Sequence, residues 1–327
     1  MKIIFQFLTL IFLLPVFTAC GAEESQTGLQ EIPAVSLPPP SIGRETLLRS
    51  LDELAEIERA GSWLQGMAVR ESGIRENAGD YTGAVAAAYK ELSLAYGRGL
   101  ILKEDIERGL FNLLETKSDD SVVSAANAIL AFEREQWADA SAGLELLFDR
   151  RDEPDSFTSW MILVCALEKT KASSEAEDRR ISAAYKSIRA RYAQFPEYWY
   201  RGARAFSGSI AAEFAENCIN SAVQGPFAED SRKILAVHCG LKPEDGLLIK
   251  TKMEIEAIFA ESINAENPRL LEPLFPLISL PENPYTVYAT GVLRSLTAVQ
   301  SFREYFTDQS SVSSGRLAER LAYICRG

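Results

Sequence analysis

The chain has 327 residues, a formal net charge of −12 at pH 7 and a single histidine, His238. A surface that acidic has no electrostatic reason to meet a phosphate backbone, so nucleic acid is excluded as an expected partner. One imidazole leaves any histidine-based triad or metal cluster resting on His238 alone, and the length is enough for a sizeable core.

Taken from the N-terminus, Lys2 precedes an apolar run from Ile3 to Phe17 that only Gln6, Thr9 and Pro15 interrupt. As a helix that run would span roughly 22 Å, short of the roughly 30 Å hydrocarbon core of a bilayer, so it reads as the h-region of an export signal. The next residues, Phe17-Thr18-Ala19-Cys20, resemble the lipobox of bacterial lipoproteins, in which small residues precede a cysteine that is acylated and becomes the new N-terminus. Phe17 stands where Leu is usual, a relaxation found in spirochaete lipoproteins. The resemblance implies a signal peptide over 1–19, a palmitate-type anchor on Cys20, and a cell-membrane or outer-membrane location facing the periplasm. By the same resemblance Gly21, in place of Asp, permits sorting to an outer membrane. Without the resemblance, the residues read as an ordinary secretory signal followed by an incidental cysteine.

Residues 20–43 then carry Glu, Ser, Gln and Gly with the run Pro38-Pro39-Pro40 and few large apolar side chains. Such a segment cannot bury enough surface to offset the entropy of ordering, so it is expected to be a tether, stiffened by polyproline conformation. From Arg44 onward no Gly/Ser-rich stretch divides the chain, which predicts one elongated domain. Its pattern is helical, without sustained period-two alternation and without Asn-Gly or Asp-Gly hairpin turns.

The first strong element is "GDYTGAVAAAYKELSLAYG", with Gly79-Asp80-Tyr81 as a helix opening and Trp63 and Gly66 upstream on an overlong partner. Residues 121–154 then form two helical halves separated near Arg134 to Gln136 and stopped at Pro154. With Ala128 at a small position of the first helix, Trp137 opening the second, and Ala140 on it, this segment resembles a tetratricopeptide repeat. A second match holds Trp199, Ala203, Phe206, Ala215 and Ala222, with Pro226 at its end and 16 positions from Trp199 to Ala215. Between them, Trp160, Leu163, Val164 and Leu167 pair with Ala184, Ile188 and Pro196, but Trp160 to Ala184 is 24 positions, with "KTKASSEAEDRR" as the expected insertion. The resemblance implies an all-α fold, a TPR-like helix-hairpin α-solenoid over 44–267. Pro268, Pro273, Pro276, Pro281 and Pro284 interrupt the pattern before "YTVYATGVLRSLTAVQSFREYF" and "GRLAERLAYIC" resume amphipathic helix. Residues 268–327 are therefore expected to be a C-terminal helical cap, or else a small interaction module.

No HExxH, GxSxG, GxxxxGK[ST] or GxGxxG motif is present. "RESGIRENAGD" resembles the Glu-Ser opening of lytic transglycosylases, but the Gly-Leu-Met-Gln stretch that should follow is missing. His238, in "KILAVHCGL", is expected in the core or half-buried. Cys165, Cys218, Cys239 and Cys325 lie too far apart for a CxxC site and read as small buried hydrophobes, a disulfide between two of them being the alternative. These readings predict no enzyme activity, no cofactor and no metal.

One segment stands out. From Arg179 to Arg204, seven basic residues face one acid, Glu197, with aromatics interleaved. Arg and Trp anchor interfaces, so Arg189, Arg191, Trp199, Arg201 and Arg204 are candidates for binding another envelope protein or peptide. The alternative is that the aromatics fill the core while the arginines solvate the outer face. Lipoproteins with such repeats serve in outer-membrane assembly or accompany a solute-binding protein in uptake, which implies a membrane-anchored scaffold. A module for a small apolar ligand is the alternative, and an accessory to a cell-wall enzyme the third.

Overall fold

Helix formers at helical spacing, with Asp, Asn and Thr caps and the described prolines kept to first turns, short 3-10 segments and the turns between helices, make the protein all-α: 82% helix and no strand among the described residues. A computed structural model describes residues 49–50, 53–54, 56–57, 66–116, 120–148, 156–170 and 174–326. Cys20, the expected signal 1–19 and tether 20–43, Trp63 and Pro154 lie outside the described residues.

The chain forms two compact units, divided between Gln194 and Phe195, where a single domain was expected. The boundary falls within "YAQFPEYWY", and composition does not mark it because Tyr192 and Phe195 on either side are both buried. The division also cuts the expected 44–267 range.

In the first unit, α1 (Met67–Asn77) and α2 (Tyr81–Gly97) form a hairpin, followed by α3 (Lys103–Thr116), α4 (Asp120–Glu133), α5 (Trp137–Leu147), α6 (Phe157–Thr170), α7 (Glu175–Ser187) and α8 (Arg189–Tyr192). Asp80 caps α2 by accepting the Gly83 N–H at 2.9 Å. Alanines and leucines line α2 all round, and every residue from Gly83 to Leu94 is buried; helices apolar on all sides are central ones. Accordingly α2 packs against α1, α3, α4 and α6. Two of its buried polar groups reach neighbouring helices: Lys90 Nζ donates to Glu71 at 2.7 Å, and the Tyr89 hydroxyl donates to Glu133. Phe132, Phe157, Trp160 and Tyr192 close the core, with ring centroids 5.0 Å apart for Phe157 and Trp160.

The α4–α5 hairpin turns over 134–136, as the periodicity predicts, with Glu135 at φ 58°. Its helices meet at small residues: a Cβ built on Gly143 would lie 2.8 Å from the Ala128 Cβ. Of the expected insertion before Ala184, Lys169 and Thr170 end α6, and α7 begins at Glu175. The last residues of the insertion are the exposed first turns of α7.

The second unit contains α9 (Pro196–Ala205), α10 (Gly208–Ser221), α11 (Ala228–His238), a 3-10 turn Pro243–Leu248, α12 (Lys252–Asn264), a 3-10 segment Pro268–Leu274, α13 (Phe275–Ile278), α14 (Pro284–Ser295), a 3-10 turn Leu296–Ala298, α15 (Gln300–Val312) and α16 (Gly315–Cys325). The prolines act where a missing N–H is harmless: Pro196 and Pro284 open α9 and α14, and Asn283 and Thr286 form a reciprocal capping box. The expected helix over "YTVYATGVLRSLTAVQSFREYF" is broken at Leu296–Ala298. The segment after residue 267 packs on α12, so no packing boundary falls there.

Within the α9–α10 hairpin, a Cβ on Gly202 would lie 2.1 Å from the Phe214 ring. Gly202→Ala is therefore expected to lower the unfolding midpoint, at a cost of about 1–3 kcal/mol from overpacking that exceeds the gain of about 1 kcal/mol in helix propensity. A midpoint that rises would mean that Phe214 swings aside cheaply.

His238 is neither in the core nor half-buried, the two places expected for it. It occupies the last turn of α11 and is exposed, a position where a partial negative charge of the helix end favours a basic side chain. All four described cysteines are thiols; Cys165 and Cys218 are buried.

Candidate functional site

The five residues singled out by the basic segment do not share one exposed face. Arg189 and Arg191 open α8 in the first unit, the former exposed and the latter half-buried. Trp199, Arg201 and Arg204 belong to α9 in the second unit. Trp199 is buried against Tyr198 and Phe214, with ring centroids at 5.1 and 5.2 Å. Arg201 is buried as well, its guanidinium 3.2 Å from the Glu197 carboxylate and 5.8 Å from the Tyr200 ring centre. Arg204 lies half-buried over the same ring at 5.7 Å. Trp199 and Arg201 are therefore core groups and not contact groups, whereas Arg189 remains accessible. The aromatics do fill the core: Tyr192, Phe195 and Tyr198 are all buried.

A different feature has the shape of a binding site. In the second unit an open apolar groove of about 340 Å³ runs along α12, lined by Met253, Ala257 and Ile258, with Val223 and Pro273 on its sides. Its position follows from local chemistry. Thr251 caps α12 in a reciprocal box with Glu254, which fixes the first turn. The Thr251 hydroxyl also donates to Asn220 Oδ1 at 2.7 Å, which ties this end of α12 to α10. Arg232 of α11 grips Glu254 with two hydrogen bonds, 2.7 and 2.9 Å, and donates a third to the Ile249 carbonyl at 2.6 Å.

The electrostatics of the groove follow from that grip. Burial pushes the Glu254 carboxyl up, but the bonds from Arg232 and the Thr251 N–H outweigh it and hold the group below its ordinary value. Its charge is thus spent within the protein. Lys250, which lines the same groove, has neither an ion pair nor a hydrogen bond among the described residues. Met253 is 57% exposed and Val223 45%, so apolar surface faces water beside that cation.

The sequence reading missed this groove. Thr251-Lys252-Met253-Glu254 is a capping-box signature, and Met253 and Ala257 recur one turn apart. The pattern was therefore visible, though nothing in it says that no neighbouring helix covers that stripe.

Elsewhere, burial pushes the Cys218 thiol up to about 12, which leaves it protonated and unreactive at neutral pH. Among the described residues there is no cluster of three or more His, Cys, Asp or Glu able to hold a metal ion, and no helix is long and apolar enough to cross a membrane. No family model, curated protein or solved structure matches the chain.

Proposed function

We propose that this is an exported bacterial lipoprotein, acylated on Cys20, whose TPR-like hairpins stack as an α-solenoid scaffold that binds another envelope protein or peptide and catalyses no reaction. The observation that carries the reading is the pair of hairpins, α4–α5 and α9–α10, closed at small residues, Ala128 with Gly143 and Gly202 under Phe214. Units of that kind bury one face against a neighbour and leave a curved surface for a partner. Of the five candidates, Arg189 is the exposed one and stays in the reading as a contact. Trp199 and Arg201 leave it.

The test has two stages. Metabolic labelling with a fatty-acid analogue should mark the wild type and not Cys20→Ala. From detergent-solubilised envelope the labelled protein should then bring down a protein in fixed stoichiometry, and Arg189→Glu should weaken the association. Labelling that persists in Cys20→Ala removes the anchor. A preparation without a stoichiometric protein but with a retained small molecule favours the second reading, a module for a small apolar ligand, which the groove along α12 supports.

A further inference from the structure

We propose that the groove along α12 is a binding site for a monocarboxylate amphiphile, its apolar body against Met253, Ala257, Ile258, Val223 and Pro273 and its carboxylate met by Lys250. The inference rests on the second reading, the ligand module, and adds the chemical class of the ligand. About 340 Å³ lies within the range of small-molecule sites, which are mostly apolar with a few polar groups that fix orientation.

The polar groups here can be accounted for one by one. Glu254 is gripped by Arg232 through two hydrogen bonds, and Lys250 acts on it only through charge, with no hydrogen bond or ion pair between them. The Thr251 hydroxyl is occupied by Asn220 Oδ1, and Asn220 is itself one of the lining residues. Lys252, next along the chain, lies over the Tyr288 ring with its Nζ 5.8 Å from the centroid. Lys250 is then the unpaired charge among the lining residues, in a chain whose net charge is −12. An ammonium that makes no hydrogen bond or ion pair among the described residues, beside a strip of exposed methyl and thioether groups, matches a ligand with one anionic end and an apolar remainder.

The dimensions argue against a docked helix. From Met253 to Ile258 the strip extends about 7.5 Å along α12, roughly a turn and a half, whereas helix-in-groove recognition uses anchors spread over i, i+3, i+4 and i+7. The strip is too short for such a set.

The experiment uses the full chain in phosphatidylcholine nanodiscs and a photoactivatable decanoate, with crosslinks mapped by mass spectrometry and competed by unlabelled decanoate or decanol. Crosslinks should fall on the peptide that holds Met253 and Ala257. Displacement should need about tenfold more decanol than decanoate, the value of one charge-assisted hydrogen bond. In Lys250→Gln that ratio should fall to about one. Ala257→Trp, at an exposed position where the bulkier side chain fills the groove, should abolish the crosslink while the thermal melt stays at the wild-type midpoint. Equal competition by decanol and decanoate in the wild type would overturn carboxylate recognition and leave the apolar-ligand reading standing. An absence of saturable crosslinking in the groove would sink both. Crosslinks displaced by an amphipathic helical peptide but not by unlabelled decanoate would replace the small ligand with a protein partner.

Discussion

Arg201→Glu is expected to cost the second unit about 3–5 kcal/mol of stability, which is a third or more of what a typical domain has. The side chains of Arg201 and Glu197 are 5% and 3% exposed and lie one turn apart on α9. Reversal places two carboxylates in that buried space and leaves Glu197 without its neighbouring guanidinium. Removing one member of a buried pair is expensive because the remaining charge stays out of water with less to offset its desolvation. Raising salt should not rescue the variant, since buried charges are screened far less than exposed ones. Two comparisons make the result decisive in urea unfolding. Arg189→Glu, at an exposed site, should stay within about 0.5 kcal/mol of wild type, and the double change Glu197→Leu with Arg201→Met should recover most of the loss. If Arg201→Glu unfolds at the wild-type urea concentration, the guanidinium escapes to solvent and the burial argument is wrong.

The second large effect belongs to the first unit. Glu71 on α1 accepts from Lys90 at 2.7 Å and from Arg75 at 2.9 Å, and Arg75 also reaches Asp80, the cap of α2, at 2.8 Å. Burial would raise the Glu71 pKa, but Lys90 and Arg75 overcome it and bring the group down from 4.5 to about 2. At about 1.4 kcal/mol per pH unit that displacement amounts to about 3 kcal/mol. Its sign follows from linkage: between pH 4.5 and 2 the unfolded chain holds more protons on this carboxyl than the folded one, so stability rises with pH. The contribution is therefore complete above about pH 4.5 and is lost as the pH falls toward 2. Glu71→Gln should unfold about 3 kcal/mol more easily at pH 7, because Lys90 stays buried, and the gap from wild type should close as the pH approaches 2. Parallel stability profiles for the two proteins across that range would show that the pair does not couple α1 to α2.

The helices were legible where a local signal repeats. Ala128, Trp137 and Ala140 are spaced so that one face of each helix is small or apolar, and the Arg134–Gln136 break between them is a turn that any tertiary setting would use. The break in the helical pattern at Pro268 and Pro273 was equally legible, since a proline cannot donate to a helical ladder, though not that the segment would be a 3-10 helix. The candidate site was not legible in the same way. Its walls come from Val223, the stretch 250–258 and Pro273, brought together through Arg232 and Asn220, and no local pattern encodes that meeting.

What the amino-acid sequence by itself determined was the all-α class, the hairpin turns, and the caps at Asp80, Thr251 and Asn283, because each depends on backbone preferences and side chains within a few residues. Only the tertiary structure decided which charges face inward. An Arg four residues after a Glu reads as a surface pair on any helix, and Arg201 became a core group because Phe214 seats over Gly202 and turns that face of α9 toward α10. His238, on a helix that looked apolar, was turned outward in the last turn of α11. The same long-range packing left Met253 and Lys250 uncovered, since the side of a helix that is buried depends on which distant segment arrives to cover it.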